Sequence, residues 1–209
     1  MPKKLSEMTL EELWQLFPIF LTKPDPAWET WFSEEKEFLL SNLDPNAVFS
    51  INHIGSTAIK GIYAKPIIDI LLEAQDGFEI ESLIDDIKNA GYILMSKAEN
   101  RLSFNKGYTE NGFAKRVFHL HVRKKGDHAE MYFRDFLNAH PERAKEYEQL
   151  KLSLWKKYEH DRDEYTRQKT DMVNAFTKTA FQEFPGRYES ICPETALADF
   201  LQNPCKREI

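Results

Sequence analysis

The chain has 209 residues, 42% of them hydrophobic and 30% charged, with a formal net charge of -6. That is the composition of an ordinary globular domain with one sizeable core, not of a disordered chain. The acidic balance argues against broad electrostatic binding to nucleic acid, and no run of about 18 apolar residues is present to span a membrane.

The first residues, Met1 to Glu7, gain acids at once and lack an apolar signal core, so a cytoplasmic location is expected. Thr9-Leu10-Glu11-Glu12 reads as a capping box that opens a short helix over Leu13, Leu16 and Phe17, ending near Pro18 to Pro24. Asp25-Pro26 opens a second helix, and Trp28, Trp31, Phe32, Phe38 and Leu39 give it an apolar stripe. Val48 to Ile54 is predicted as a strand. Pro66 to Glu73 is another, apolar nearly throughout, as a central strand covered on both faces requires.

Ile80 to Ala90 reads as an amphipathic helix stopped by Gly91. Three more strands are expected at Tyr92 to Met95, Arg101 to Lys106 and Lys115 to Arg123, with Gly107 to Gly112 as a hairpin connection. From His128 onward apolar residues recur at helical spacing. His140-Pro141 separates two helices, and a third runs from about Asp163 to Phe184. The fold class is α/β (α+β): a mixed sheet of about five strands packed by helices, with a helical C-terminal portion. The divisions are an extension over 1–24, a domain over 25–184 and a tail over 185–209. Both cysteines, Cys192 and Cys205, lie in the tail and read as reduced thiols, too few for a zinc set or a disulfide framework.

The chemistry concentrates between residues 53 and 73. Gly55 permits close backbone approach to a ligand, and Ser56 and Thr57 add hydroxyl groups. A helical turn starting at Thr57 would aim free N–H groups at a phosphate. Asp69 stands inside an apolar run, where an unpaired carboxylate is costly, so it is a candidate to hold a divalent cation against that phosphate. Lys65 would add a point charge. A Gly-Ser turn followed by a strand carrying an acid is how nucleotidyl-transfer folds join a phosphate cradle to a metal.

His53-Ile54-Gly55-Ser56-Thr57-Ala58, Gly61 and Ala64-Lys65-Pro66-Ile67-Ile68-Asp69-Ile70 resemble the signature of the GrpB-like family. His119-Leu120-His121-Val122, Phe133-Arg134-Asp135-Phe136-Leu137, His140-Pro141, Tyr147 with Leu150-Lys151, and Tyr165 with Lys169 extend the resemblance over about 24 to 180. The resemblance implies the nucleotidyltransferase fold. Some relatives carry this domain fused to a dephospho-coenzyme A kinase, which implies nucleotide or coenzyme chemistry by analogy.

Active members of that superfamily place carboxylates at i and i+2 of one strand, on one face, to hold two metals. Here positions 69, 71 and 73 read Asp, Leu, Glu. Glu73 lies roughly 13 Å along the strand from Asp69 and cannot replace the missing acid. His119 and His121 alternate with Phe118, Leu120 and Val122, so their imidazoles share a face. If their strand adjoins that of Asp69, the three form a two-His, one-carboxylate set.

Asp69 and His121 are therefore the candidate catalytic residues. Gly55, Ser56, Thr57, Lys65 and Arg101 are the candidates for binding phosphate, Arg101 as a bidentate clamp. Asp69, His119 and His121 are the candidate metal ligands, for Mg or Mn, or for Zn, Fe or Ni if both histidines ligate. Lys151, Tyr165 and Lys169 would close the cleft from the helical side. The expected partner is a nucleotide or another phosphate-bearing small molecule, without nucleic acid or membrane. Two functions fit: metal-dependent nucleotidyl or phosphoryl transfer, or a catalytically inactive nucleotide- or coenzyme-binding regulatory domain.

Overall fold

The computed structural model describes residues 3–188. The tail with Cys192 and Cys205 lies outside the described residues. A capping box opens α1 (Leu10–Leu16): Thr9 Oγ1 accepts from Glu12 N at 3.2 Å, and Glu12 Oε2 accepts from Thr9 N at 2.7 Å. Asp25 Oδ1 accepts from Ala27 N at the start of α2 (Ala27–Asn42), with Pro26 at the cap. The strands are β1 (Val48–Ile54), β2 (Ile68–Ala74), β3 (Ile93–Ala98), β4 (Arg101–Thr109) and β5 (Gly112–Lys124). The expected helix over Ile80 to Ala90 divides into a 3-10 turn (Ile80–Leu83) and α3 (Ile84–Asn89). Three helices complete the described residues: α4 (Ala129–Ala139), α5 (Pro141–Lys157) and α6 (Arg162–Glu183).

The five strands form one mixed sheet in the order β1-β2-β5-β4-β3. β2 runs antiparallel to β1 and parallel to β5, so the two central strands are those carrying Asp69 and the paired histidines. Alternation sends Ile68, Ile70 and Leu72 into the main core, with Ile51, Leu102, Phe104, Leu120 and Val122 beneath α2 and α3. The opposite face is polar along β4 and β5, and α4, α5 and α6 form a separate apolar cluster over part of it. The site lies on this second face.

The β4–β5 connection is tighter than the sequence suggests. β4 continues through Gly107 to Thr109, and the chain turns at Glu110-Asn111. A Cβ on Gly107 would stand 2.3 Å from the Arg116 carbonyl oxygen, and the register shifts between Lys106 and Tyr108. Gly107 therefore marks a close crossing of two strands rather than a loop. The segment read as an extension also joins the domain: Phe17, Ile19 and Leu21 are buried, and Thr22 pairs with Ala64.

Three positions on one face of β2 have three different fates. Asp69 opens into a cleft. Leu71, wholly buried, packs with Ile54 and Met131. Glu73 is buried, accepts from Ser50 Oγ at 2.6 Å and Gly126 N at 2.9 Å, and lies 2.8 Å from His128 Nδ1. Glu73 is thus a structural anchor for the turn after β5.

His53 points to the main-core face. Its ring stacks on Phe32 with centroids 4.8 Å apart, and its Nε2 lies 2.9 Å from Thr57 Oγ1. Burial pushes its pKa down to about 4, more than the nearby Asp69 carboxylate raises it. Because the unfolded chain takes up this proton near pH 6.5, stability contributed by neutral His53 should fall as pH drops from about 6.5 to 4 and level off below. In denaturant titrations across that range, His53→Gln should flatten the pH dependence by on the order of 2–3 kcal/mol relative to wild type.

Candidate functional site

Direct strand pairing assembles the centre of the site. Asp69 lies opposite His119 and Leu71 opposite His121 across the parallel β2–β5 ladder, while Ile54, at the end of β1, lies opposite Asp69 on its other side. Parallel pairing with period-2 alternation puts the carboxylate and both imidazoles on one face. Asp69 Oδ1 lies 3.2 Å from His119 Nδ1 and 3.8 Å from His121 Nε2. Gly55, at φ 70°, passes directly over the carboxylate: a Cβ there would stand 2.1 Å from Asp69 Oδ2. Only glycine permits both this backbone conformation and this approach.

The carboxylate is ionised. Burial, the largest single influence, would raise its pKa, but the interactions with His119 and His121 together outweigh that and hold it far below the usual carboxylate range. His119 moves the other way: burial pushes it down to about 4, against the pull of Asp69, so it is neutral at pH 7.

The hydrogen-bond chain behind His119 fixes its tautomer. Arg162 has only donors, and its Nη1 and Nη2 lie 3.3 and 3.2 Å from the Tyr108 hydroxyl oxygen. Tyr108, in turn, lies 2.8 Å from His119 Nε2. A neutral His119 carrying its proton on Nε2 would aim a bare Nδ1 lone pair at an ionised carboxylate. With the proton on Nδ1, every link has one donor and one acceptor: Arg162 to Tyr108, Tyr108 to His119 Nε2, His119 Nδ1 to Asp69. This chain ties α6 to the floor of the site.

It also alters the ligand set expected from sequence. Asp69, His119 and His121 do converge. In this tautomer, however, His119 orients Asp69 and has no free lone pair for a cation. Among the described residues, no group of three or more His, Cys, Asp or Glu side chains is arranged to hold a metal ion. The donors left are Asp69 and His121. Two protein donors suit a hard cation such as Mg or Mn, whose shell is completed by phosphate oxygens and water, better than a self-sufficient Zn, Fe or Ni site.

The cleft in front of Asp69 has a volume of about 120 Å³. Gly55, Ser56 and Lys65 line it as expected, and Lys151, Tyr165 and Lys169 close it from α5 and α6. Lys151 is 2% exposed and donates to the Tyr63 carbonyl, and burial pushes its pKa down to about 7, against the pull of Glu148. The bases Lys65, Lys151, Arg162 and Lys169 share this cleft with the acids Asp69 and Glu130.

Two expected phosphate-binding residues lie elsewhere. Thr57 Oγ1 donates to the Ile67 carbonyl at 3.1 Å, so it braces the turn and does not line the cleft. Arg101 forks onto Asp127, with Nε and Nη2 at 2.9 and 2.8 Å from its oxygens, and is absent from the cleft wall. The Ser56–Ala58 turn is a single 3-10 turn too short to act as a helix N-terminus. Arg134 and Asp135 pair with each other, and Arg134 also donates to the His53 carbonyl, which is structural support.

The sequence reading missed Tyr108, Glu130 and Arg162. Seven buried side-chain polar atoms among the described residues lack a hydrogen-bond partner; three of them, His121 Nδ1, Glu130 Oε2 and Arg162 Nε, belong to residues lining this cleft. Burial would raise the Glu130 pKa, but the Arg123 charge, a backbone hydrogen bond and the His121 and Arg101 charges together hold it below the usual carboxylate value.

Two outcomes follow. Gly55→Ala should displace the Asp69 carboxylate and cost roughly 1–3 kcal/mol in a denaturant titration, more than Gly61→Ala, where a Cβ meets nothing. Long-range ¹⁵N imidazole NMR at pH 7 should show His119 as the Nδ1–H tautomer, and Tyr108→Phe should let the Nε2–H form appear.

A family described as GrpB protein matches residues 18–179. A UPF0157 protein of Pseudomonas aeruginosa is 38% identical over 153 residues, covering 71% of this chain and 62% of that protein. The UPF0157 protein YqkA of Bacillus subtilis is 32% identical over 190 residues, covering 88% of this chain and 54% of that protein. The chain thus spans less than two thirds of the length of these two relatives. The glutamate-rich protein GrpB of Alkalihalophilus pseudofirmus is 37% identical, with 75% of this chain and 92% of that protein covered. The crystal structure of the conserved protein GrpB from Enterococcus faecalis is similar with a TM-score of 0.68 at 29% identity, covering 79% of this chain and 99% of that one.

Proposed function

The chain belongs to the GrpB family, and we propose that its cleft binds a nucleotide-type, phosphate-bearing small molecule and transfers a nucleotidyl or phosphoryl group from it. The observation that carries this reading is the charge pattern around Asp69: an ionised carboxylate on the floor, faced by Lys65, Lys151, Arg162 and Lys169 on the walls. Three cations and a lysine that takes up its proton near pH 7, set against two acids, suit a multiply charged anion. The partnerless polar atoms of His121, Glu130 and Arg162 add directional groups for the same ligand to satisfy.

Asp69 would hold a divalent cation, Mg or Mn, together with the substrate's phosphate oxygens; when bound, that cation would neutralise charge developing on the transferred group. Gly55 lets the turn pass close over the carboxylate, and Ser56 beside it offers a hydroxyl donor. His119, locked by Tyr108 and Arg162, keeps the carboxylate in position. Asp69 and His121 are the residues we assign to the chemistry.

A second reading, a nucleotide- or coenzyme-binding regulatory domain without turnover, is favoured by one observation. The strand position that would carry a second acid is Leu71, wholly buried in an apolar cluster, where no carboxylate could ionise.

Calorimetry with tripolyphosphate and ATP, with and without Mg, tests both. Asp69→Asn should weaken Mg-dependent binding at least about tenfold, the loss of one charge-assisted contact. Undiminished binding by that variant sinks the proposal. Phosphorus NMR of ATP with the wild-type protein separates the readings, because transfer produces new phosphate species and pure binding does not.

A further inference from the structure

A second hollow adjoins the first. Pro18, Phe20, Pro66, Phe113, Ala114 and Val117 line a cavity of about 140 Å³, and Lys65 and Ile67 belong to the walls of both cavities. The remaining lining residue is Lys115, so the only charged groups here are cations, and no acid, amide or hydroxyl side chain lines it among the described residues. The aromatic wall of the second hollow reaches the residues of the first through ring contacts. Phe113 packs on Phe20 with centroids 5.9 Å apart and on Tyr108 at 5.3 Å, and Arg162, which lines the Asp69 cleft, lies 5.8 Å from the Phe113 ring.

We infer that this hollow is the subsite for a flat apolar ring carried by the phosphate ester that occupies the Asp69 cleft. The inference rests on that cleft being a phosphate site. The two cavities share Lys65, which carries charge to the boundary where phosphate gives way to the organic group. Aromatic and proline surfaces recognise a ring by stacking and contact, which every nucleobase can offer. With no side-chain acceptor, and only lysines as donors, the walls cannot read the hydrogen-bonding edges that distinguish one base from another. The substrate class is thus a ring-bearing polyphosphate ester, selected for the presence of the ring rather than for its identity.

Equilibrium binding at fixed Mg with tripolyphosphate, ATP, GTP, CTP and UTP tests this. The nucleotides should bind roughly 10- to 100-fold tighter than tripolyphosphate, the range stacking supplies, and within about tenfold of one another. Phe113→Ala should narrow the gap between the four nucleotides and tripolyphosphate. Phe113 also packs on Phe17 at 5.0 Å, so Ala114→Trp, at an exposed position on the same wall, provides a second variant that fills the hollow without removing core, and it should have the same effect. Tripolyphosphate binding as tightly as the nucleotides, one base preferred more than 100-fold, or geranyl diphosphate outbinding all four each overturns the ring subsite while leaving the phosphate site intact. Failure of tripolyphosphate and all four nucleotides to bind overturns the phosphate reading and this inference with it.

Discussion

Everything at this site depends on keeping one carboxylate charged inside a β-sheet. Asp69 projects from a central strand whose other residues are buried and, Glu73 apart, apolar. An ion there survives only if its neighbours supply what water would have supplied. Two imidazoles on the adjoining strand do so, and one of them is fixed by a hydroxyl that is itself fixed by a guanidinium. The parallel β2–β5 pairing is the geometric condition for all of it. A register slip of one residue would send either the acid or both imidazoles to the wrong face.

The same constraint explains how β2 uses its polar face. One strand can carry a cleft-facing acid, an apolar seal and a structural acid at alternate positions because each meets a different layer. Asp69 meets the cleft, Leu71 meets α4 through Met131, and Glu73 meets His128 at the turn after β5. The helical layer decides which of the three remains accessible. It also contributes most of the positive charge: Lys151, Arg162 and Lys169 come from α5 and α6, and only Lys65 comes from the segment beside the sheet. The cleft is therefore a joint between two layers, with the acid on one side and its counter-charges largely on the other.

Much of this was legible beforehand, for local reasons. The capping box at Thr9, the bounds of β1, the apolar run of β2, the helix break at His140-Pro141 and the sharing of one face by His119 and His121 all follow from spacing and short-range chemistry. Missed features involved partners far apart in the chain. Arg101 looked like a phosphate clamp because nothing in the sequence shows that Asp127 stands beside it. Tyr108 was hidden because Gly107 resembled a loop residue, when its missing Cβ instead lets β4 pass close to Arg116 and carry Tyr108 onward to His119. Arg162 stands just before the expected start of the last helix, and its role depends on where α6 crosses the sheet. Glu130 gave no sequence signal at all beyond being an acid in the first turn of α4.

By itself, then, the sequence determined most of the strands and helices, the common face of His119 and His121, and the membership of the Gly55–Ser56 turn in the site. These rest on periodicity and on glycine's conformational freedom, which act over a few residues. Tertiary structure alone decided that β5 lies parallel to β2, that His119 stands between Asp69 and Tyr108, that Thr57 and Arg101 turn away, and that a second hollow adjoins the first. Those outcomes rest on distance and direction between residues up to about a hundred positions apart, set by how strands pair and helices cross, and residue order does not encode them locally.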